Sequence, residues 1–149
     1  MKLSTTWQNL MLQTNQMLRF QPGKTAVCAL IRCGGLFLGV TRKDNTNDFG
    51  LPGGKVDLNE TLEQALIREV LEETGYHITV DADKPYFVNG DTAGYTVYTF
   101  ICSFASQARQ QVSEDETGVV QFVNQEQLTT LSSFALYNSD LFTWLNKHG

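Results

Sequence analysis

Apolar and polar residues follow two different periods along the chain. Short runs rich in β-branched and aromatic residues, which favour β-strands, recur between residues 25 and 123. They are TAVCALIRCGGLFLGVTR, which breaks at Gly34-Gly35 as a hairpin does, followed by HITV, YFVN, GYTVYTFICSF and GVVQFV. These runs predict the strands of a β-sheet.

Helical periodicity marks several other segments. Apolar residues recur at roughly helical spacing from Trp7 to Leu18 and predict an amphipathic helix that ends before Pro22-Gly23. NQEQLTTL and ALYNSDLFTWLNKH are also predicted to be helical, and the second carries an apolar stripe formed by Leu136, Leu141, Phe142 and Leu145. Strands and helices mixed in this way predict an α/β (α+β) fold, with a mixed β-sheet covered by helices on both faces.

The length of the chain limits the number of domains. A chain of 149 residues with 42% hydrophobic residues is long enough for one sizeable core and short for two. We therefore expect an N-terminal helical extension at residues 1–22 and a single domain at residues 23–149. The extension is expected to pack against that domain or against a second copy of the chain, which would make a homodimer.

The sequence places another helix between residues 61 and 74. Thr61 and Gln64 have the spacing of a capping box, and Gly75 suits the position after the last helical turn. The apolar residues of this helix share one side, and three carboxylates share the other, those of Glu69, Glu72 and Glu73. Like charges three and four residues apart cost about 0.2–0.5 kcal/mol a pair, and the helix C-terminus disfavours anions further. Stability alone does not select this arrangement.

The three carboxylates have two interpretations on spacing alone. One is a solvated acidic face, which Arg68 supports because it lies four residues before Glu72. The other is a site for a divalent cation and a phosphate, since Mg²⁺ prefers carboxylate oxygens and bridges to substrate phosphates. The last turn carries no Lys or Arg, and a Gly-rich segment directly precedes the helix. Both observations favour the cation, but the spacing does not decide.

The Gly-rich segment Pro52-Gly53-Gly54 also has alternatives. It suits a plain turn, because glycine adopts positive φ without strain. It does not match a phosphate-binding P-loop, since Gly50 and Gly54 are too close together and Lys55 is not followed by Ser or Thr. What remains is a loop whose backbone carbonyls and amides lie close to a metal or a phosphate.

Taken together, residues 54–76 resemble the Nudix box. The pattern is Gly54, then Glu60, then the run REVLEETGY from Arg68 to Tyr76, and every polar position of that motif is present. Tyr76 departs from it, since the family usually has an aliphatic residue there. The similarity to MutT-like Nudix hydrolases extends more weakly from about residue 24 to residue 131. It implies the Nudix fold and the hydrolysis of a nucleoside diphosphate linked to another group.

The resemblance implies a metal site. One or more Mg²⁺ or Mn²⁺ ions would be held by Glu69, Glu72 and Glu73, with a backbone carbonyl of Gly53 or Gly54. Such ions neutralise pyrophosphate oxygens and lower the pKa of a bound water. The family pattern therefore favours the cation interpretation of the acidic helix face.

Further residue roles follow from the same resemblance. Glu60 and Arg68 would pair and brace the Gly-rich loop against the helix. Members of the family often add one acidic site residue from a loop before a late strand. In this chain we expect that residue to be Glu116, with a solvated loop charge as the alternative. The general base is expected to be Glu69 or Glu116.

Substrate contacts are expected from residues before the Gly-rich segment. Arg42 and Lys43 are candidates to contact the outer phosphates, with solvated surface charges as the alternative. Several aromatic residues are candidates to stack on a nucleobase, although most must belong to the core. Phe49 is the preferred one, because it directly precedes Gly50 and the LPGG segment.

Residues outside the Nudix box that are typical of members acting on particular substrates narrow the choice of substrate by elimination. Those of the ADP-ribose, dinucleoside polyphosphate, NADH and coenzyme A groups do not match this chain cleanly. We therefore expect a nucleoside triphosphate, cleaved to the monophosphate and pyrophosphate. The alternatives are a nucleotide-sugar or ADP-ribose pyrophosphatase, and a non-catalytic nucleotide-sensing module, against which the intact acidic set argues.

Composition excludes several partners. A formal net charge of −5, without a basic stripe, argues against duplex nucleic acid. The three cysteines are odd in number and lack the paired spacing of a zinc site, so we expect reduced, core-type thiols in an intracellular protein. Polar residues interrupt every apolar run near the N-terminus, which argues against a signal peptide or membrane span. We expect a cytoplasmic protein.

Overall fold

The computed structural model describes residues 24–91, 93–112, 118–130 and 132–148. The strands of these ranges, numbered in chain order, are β1 Thr25–Leu30, β2 Arg32–Cys33, β3 Leu36–Arg42, β4 Asn45–Gly50, β5 Gly53–Lys55, β6 Tyr76–Val80, β7 Tyr86–Gly90, β8 Thr96–Arg109 and β9 Val120–Val123. The helices are α1 Leu62–Thr74, α2 Gln125–Thr129 and α3 Ala135–His148. None of these helices is both long and apolar enough to span a bilayer. The predicted N-terminal helix lies outside the described residues.

The strands form two sheets. In the first, β5, β1, β8 and β6 are neighbours in that order, and β7 also pairs with β8. β1 and β8 run parallel, whereas the other pairs of this sheet are antiparallel. In the second sheet, β3 pairs with β2, β4 and β9, always antiparallel. The predicted mixed sheet is therefore confirmed.

Helices cover both faces of the first sheet. Along β1, Val27 and Ala29 join a core cluster that contains Leu66 of α1. Leu30 joins a second cluster that contains Phe142 of α3. Because successive side chains of a strand point to opposite faces, α1 and α3 pack on opposite sides of β1. This agrees with the predicted helix cover on both faces.

Two short strands were not predicted from the sequence. β4 and β5 occupy the polar and Gly-rich segment that was interpreted as a loop. β5 pairs antiparallel with β1, and the N–H of Ala29 donates to the carbonyl of Pro52 at 2.9 Å. A Cβ on Gly53 would collide with the carbonyl oxygen of Val27. Only glycine fits this close to the neighbouring strand, so tertiary pairing overrides the low strand propensity of the segment.

The apolar stripe predicted on α3 is right except at its first residue. Leu141, Phe142 and Leu145 are buried, whereas Leu136 is 75% exposed. The buried face of α3 begins instead at Tyr137, four residues before Leu141. Leu136 lies outside this face of the helix, and so it contacts solvent.

The three cysteines occupy different environments. All are free thiols, as expected. Cys102 is buried and Cys28 is partly buried, whereas Cys33 is exposed on the short strand β2. The expectation of core positions is therefore wrong for Cys33, because β2 lies at the surface.

Candidate active site

Both ends of α1 are fixed by the caps that the sequence predicts. The hydroxyl of Thr61 accepts the N–H of Gln64 at 3.1 Å, and the Gln64 side-chain oxygen accepts the N–H of Thr61 at 2.9 Å. Gly75 ends the helix with a φ of 78°, a left-handed conformation that glycine adopts without strain. The prediction of this helix is confirmed. Its caps fix where the carboxylates of the last two turns lie.

Arg68 is the cationic centre of the acidic helix face. Its guanidinium donates to both oxygens of Glu60, at 2.7 and 2.8 Å. It also donates to Glu69 and Glu72, each at 2.9 Å, and lies 3.3 Å from a carboxylate oxygen of Asp57. The bonds from Arg68 hold the pKa of Glu60 below its usual range. Four carboxylates thus share one positive charge.

Glu73 is the carboxylate of this face that Arg68 does not contact. The N–H of Gly53 donates to Oε1 of Glu73 at 2.7 Å, and no cationic side chain of the described residues forms an ion pair with it. Burial raises the pKa of Glu73 to about 8, the Gly53 bond opposes this, and Glu69 and Glu72 add to it. The site therefore lacks positive charge at Glu73.

Glu69 lies against the second glycine of β5. A Cβ on Gly54 would come within 2.5 Å of the Glu69 carboxylate. Burial raises the pKa of Glu69, and Arg68 partly offsets that effect. The glycine pair of β5 thus lets two carboxylates of α1 approach the backbone of the sheet edge.

These carboxylates line a cavity of about 390 Å³, which we call the acidic cleft. Its wall on the β3–β4 side comprises Val40, Thr41, Arg42, Lys43, Asp48 and Gly50, and its wall on α1 comprises Glu69, Glu72 and Glu73. Arg42 and Lys43 therefore lie at the same cavity as the acidic set. Arg42 also pairs with Asp44 at 3.2 Å on the surface.

Asp48 is a cleft residue that was not predicted from the sequence. It is only 8% exposed, and Oδ1 accepts the N–H of Ser133 at 2.8 Å. In the sequence Asp48 lies between Asn47 and Phe49, and this run matches no motif. Burial of an aspartate is the unusual feature here, and it becomes visible only in the structure.

The chemistry of the cleft fits a divalent cation. Carboxylate oxygens are the ligands that Mg²⁺ and Mn²⁺ prefer, and Glu73 has no ion-pair partner among the described residues. Within the described ranges, however, no three acidic, His or Cys side chains already converge on one point. Glu69 and Glu72 turn towards Arg68, and Glu73 turns towards Gly53. Binding a cation requires these side chains to turn into the cleft.

A second cavity of about 310 Å³ lies beside β5, on the α3 side of the sheet, and we call it the apolar pocket. Its apolar lining includes Ala26, Cys28, Leu51, Val97, Phe134 and Tyr137. Asp91 and Asn138 contribute polar groups, and Gly53 and Gly54 also border it. Gly53 and Gly54 therefore border this pocket and also contact Glu73 and Glu69 of the acidic cleft.

One predicted site residue, Phe49, lies away from both cavities. Phe49 is 8% exposed and packs in the core cluster with Phe37 and Phe142. The aromatic side chains that border the apolar pocket belong instead to Tyr95, Phe134 and Tyr137. Glu116 falls in residues 113–117, outside the described part of the chain, and its role stays a prediction.

Known proteins are similar to this chain in sequence. The family model of the NUDIX domain matches residues 21–145. A MutT-like protein of Streptomyces ambofaciens is 36% identical over 90 residues, which span 60% of this chain and 56% of that protein. The nucleoside triphosphatase NudI of an Enterobacter species is 28% identical over 122 residues, covering 72% of this chain and 86% of that one.

Solved structures agree on the fold. The crystal structure of a UDP-X diphosphatase superposes with a TM-score of 0.67 at 19% identity, covering 93% of this chain and 72% of that one. At such identity the likeness concerns the architecture alone. The family match covers most of the sequence, including the helix and glycine pair described above. The chain therefore belongs to the Nudix hydrolase family.

Proposed function

We propose that this protein is a metal-dependent pyrophosphohydrolase that cleaves a nucleoside triphosphate to a nucleoside monophosphate and pyrophosphate. The observation that carries the proposal is that two cavities are neighbours. Glu73 and Glu69 line the acidic cleft and lie against Gly53 and Gly54, and these two glycines border the apolar pocket. A nucleotide has the same two-part chemistry, with a charged phosphate chain and an uncharged ring.

The phosphates would lie in the acidic cleft. Arg42 and Lys43 supply positive charge at one wall, and the carboxylates of Glu69, Glu72 and Glu73, with a backbone carbonyl of Gly53, would hold Mg²⁺ or Mn²⁺ at the other. When bound, the divalent ion neutralises phosphate oxygens and makes a coordinated water more acidic. The nucleobase would enter the apolar pocket, where Tyr95 and Phe134 offer aromatic contacts.

The reaction then needs a water and a base. Water attacks the α-phosphorus, the bond between this phosphorus and the oxygen that bridges to the β-phosphorus breaks, and pyrophosphate leaves. A carboxylate accepts the proton of the attacking water. Glu69 suits this role because it is partly buried beside Gly54 at the border of the two cavities. Glu69 and Glu72 accept hydrogen bonds from Arg68, and they would turn away from it to bind the cation.

The similar proteins differ in the substrates that their names give, a nucleoside triphosphate for one and a UDP conjugate for another. Product analysis therefore tests the proposal. Triphosphates, nucleotide sugars, ADP-ribose and dinucleoside polyphosphates are incubated with Mg²⁺ or with chelator, and every product is identified. We expect monophosphate and pyrophosphate from triphosphates with Mg²⁺, and none with chelator. Faster cleavage of a nucleotide sugar or ADP-ribose would overturn the substrate assignment.

Replacing one carboxylate tests the acidic cleft. Glu73→Gln keeps an oxygen to accept the Gly53 N–H but removes the charge, and we expect turnover to fall at least about 100-fold. Glu63→Gln is the matched control, because Glu63 lies in the first turn of the same helix, away from the cleft. Unchanged turnover in Glu73→Gln, with the control also active, would remove Glu73 from the site.

A further inference from the structure

The apolar pocket carries polar side chains from three separate places in the fold, of which Lys55 of β5 is one. Asp91 directly follows β7, and Asn138 lies near the start of α3. The rest of the lining is mainly apolar, with Ala26, Val97 and Phe134 among its members. In such a pocket a few polar atoms decide which edge of a ligand is accepted.

Asp91 uses one carboxylate oxygen to fix the turn between β7 and β8. Oδ1 accepts the N–H of Ala93 at 2.9 Å and the N–H of Tyr95 at 2.8 Å. The backbone N–H of Asp91 donates to the Tyr95 carbonyl at 2.9 Å. Oδ2 accepts no hydrogen bond from the residues that the structure describes. The turn therefore holds the carboxylate in place and leaves one oxygen for a ligand.

The charge of Asp91 acts inside the pocket. The pKa of the Tyr137 hydroxyl is raised first by burial, then by Cys28 and by Asp91, against a hydrogen bond with Thr99. The Tyr137 hydroxyl itself donates to the Val97 carbonyl at 3.0 Å, so its proton is already used. Lys55 also borders the pocket, with its Nζ 5.5 Å from the centroid of the Tyr95 ring. At its free oxygen the Asp91 carboxylate favours a ring that presents N–H groups.

Asn138 adds a second acceptor. It is only 3% exposed, and its Nδ2 donates to the Leu128 carbonyl at 2.9 Å. That bond leaves Oδ1 as the free end of the amide, and no residue in the described ranges donates to it. A buried acceptor without a donor costs about 1–3 kcal/mol, which a ligand N–H would recover.

We propose that Asp91, with Asn138, makes the apolar pocket select a nucleobase that carries an exocyclic amino group over one that presents a carbonyl oxygen at that position. Cytosine and adenine belong to the first class, and uracil and hypoxanthine, which carry a carbonyl oxygen at the same ring position, belong to the second. The inference rests on the proposed function, because it treats the apolar pocket as the base site of that reaction. An amino group donates to a carboxylate, whereas a carbonyl oxygen is repelled by it.

Matched nucleotides test the preference. kcat/KM is measured with Mg²⁺ for dCTP against dUTP and for dATP against dITP, and the pair that is cleaved faster is used. In parallel, calorimetry in chelator measures binding of the corresponding monophosphates, which needs neither metal nor catalysis. We expect the amino member to be preferred at least about 10-fold in both measurements.

Asp91→Asn identifies the residue responsible. Asparagine keeps an oxygen for the N–H groups of Ala93 and Tyr95 but presents an NH₂ group where Oδ2 lies. We expect the preference to fall to about 1 or to reverse. The matched control is Asp140→Asn, because Asp140 is exposed on α3 and bonds Asn89 at 3.3 Å. Its preference should equal that of the wild type.

The outcomes separate the two proposals. Hydrolysis without a base preference in the wild type would overturn the inference and leave the proposed function standing. Preferential binding of the amino monophosphate without hydrolysis of any triphosphate would support the inference and overturn the proposed function. A preference that survives in Asp91→Asn would remove Asp91 from recognition. If that variant unfolds, the wild-type binding ratio still decides the preference.

Discussion

The acidic cleft and the apolar pocket are neighbours but are built in different ways: Glu73 and Glu69 of the cleft lie against Gly53 and Gly54, which border the pocket. Three carboxylates of the cleft come from one stretch of α1, from Glu69 to Glu73, and their charge is partly balanced by Arg68 four residues before Glu72. The lining of the pocket comes from β1, the β7–β8 turn, α3 and the segment around Leu51. The acidic set of α1 is thus local in sequence, whereas the opposite wall of the cleft and the whole pocket exist only in the folded chain.

The two regions also differ in how firmly they are held. In the cleft, Glu69 and Glu72 are held by a shared arginine, and they must turn to bind a cation. In the pocket, Tyr137 is buried and bonded to Thr99 and Val97 of β8, and Oδ1 of Asp91 is fixed by two backbone N–H groups. The structure thus combines an adaptable charged site with a largely preformed apolar one.

Gly53→Ala should damage both regions at once. The new Cβ collides with the Val27 carbonyl, and this contact is backbone that cannot move aside, so β5 must leave β1. We expect unfolding free energy to fall by about 3 kcal/mol, and nucleotide binding and Mg²⁺ stabilisation to fall with it. Thermal and urea unfolding measure the change.

Gly54→Ala is the control for this substitution. Its Cβ meets the flexible end of Glu69, which can rotate. Turnover should drop because Glu69 is displaced, while the unfolding free energy stays within about 1 kcal/mol of the wild type. Equal destabilisation by the two alanines would contradict the distinct roles of the glycines.

Arg68→Met should affect the cleft alone. It removes the cation shared by Glu60, Glu69 and Glu72, and we expect a loss of about 1.5 kcal/mol in chelator. Mg²⁺ should restore part of that loss, because the released carboxylates gain a cation, whereas monophosphate binding in chelator should not change. Arg42→Met, at an exposed pair, should leave the melting temperature unchanged. A loss that Mg²⁺ does not reduce would argue against a metal site.

Tyr137→Phe should affect the pocket alone, with the smallest effect. The variant loses the hydroxyl that donates to Val97 and contacts Thr99 at 2.8 Å, and we expect a loss of about 1 kcal/mol. The rise in melting temperature on adding Mg²⁺ should equal that of the wild type, while base binding weakens. A reduced Mg²⁺ effect would show that the acidic cleft and the apolar pocket are coupled and would contradict their independence.

Sequence patterns anticipated the elements whose cause is local. The capping box and Gly75 determine where α1 lies, and short runs rich in β-branched and aromatic residues predicted β1 and β8, because such residues favour strands. Leu136 shows the limit of this reasoning. Its type fits an apolar stripe, but the contacts of α3 place it in solvent, and helix rotation depends on what the helix packs against.

The chain by itself determined the acidic helix face, the glycine pair before it and the family, because all three lie within one short segment with fixed spacing. Only the tertiary structure decided that Gly53 and Gly54 form an edge strand, that Asp48 is buried at the cleft and that Asp91 and Asn138 share one pocket. The physical reason is distance along the chain. Contacts between residues tens of positions apart depend on how strands pair and helices pack, which no local pattern specifies.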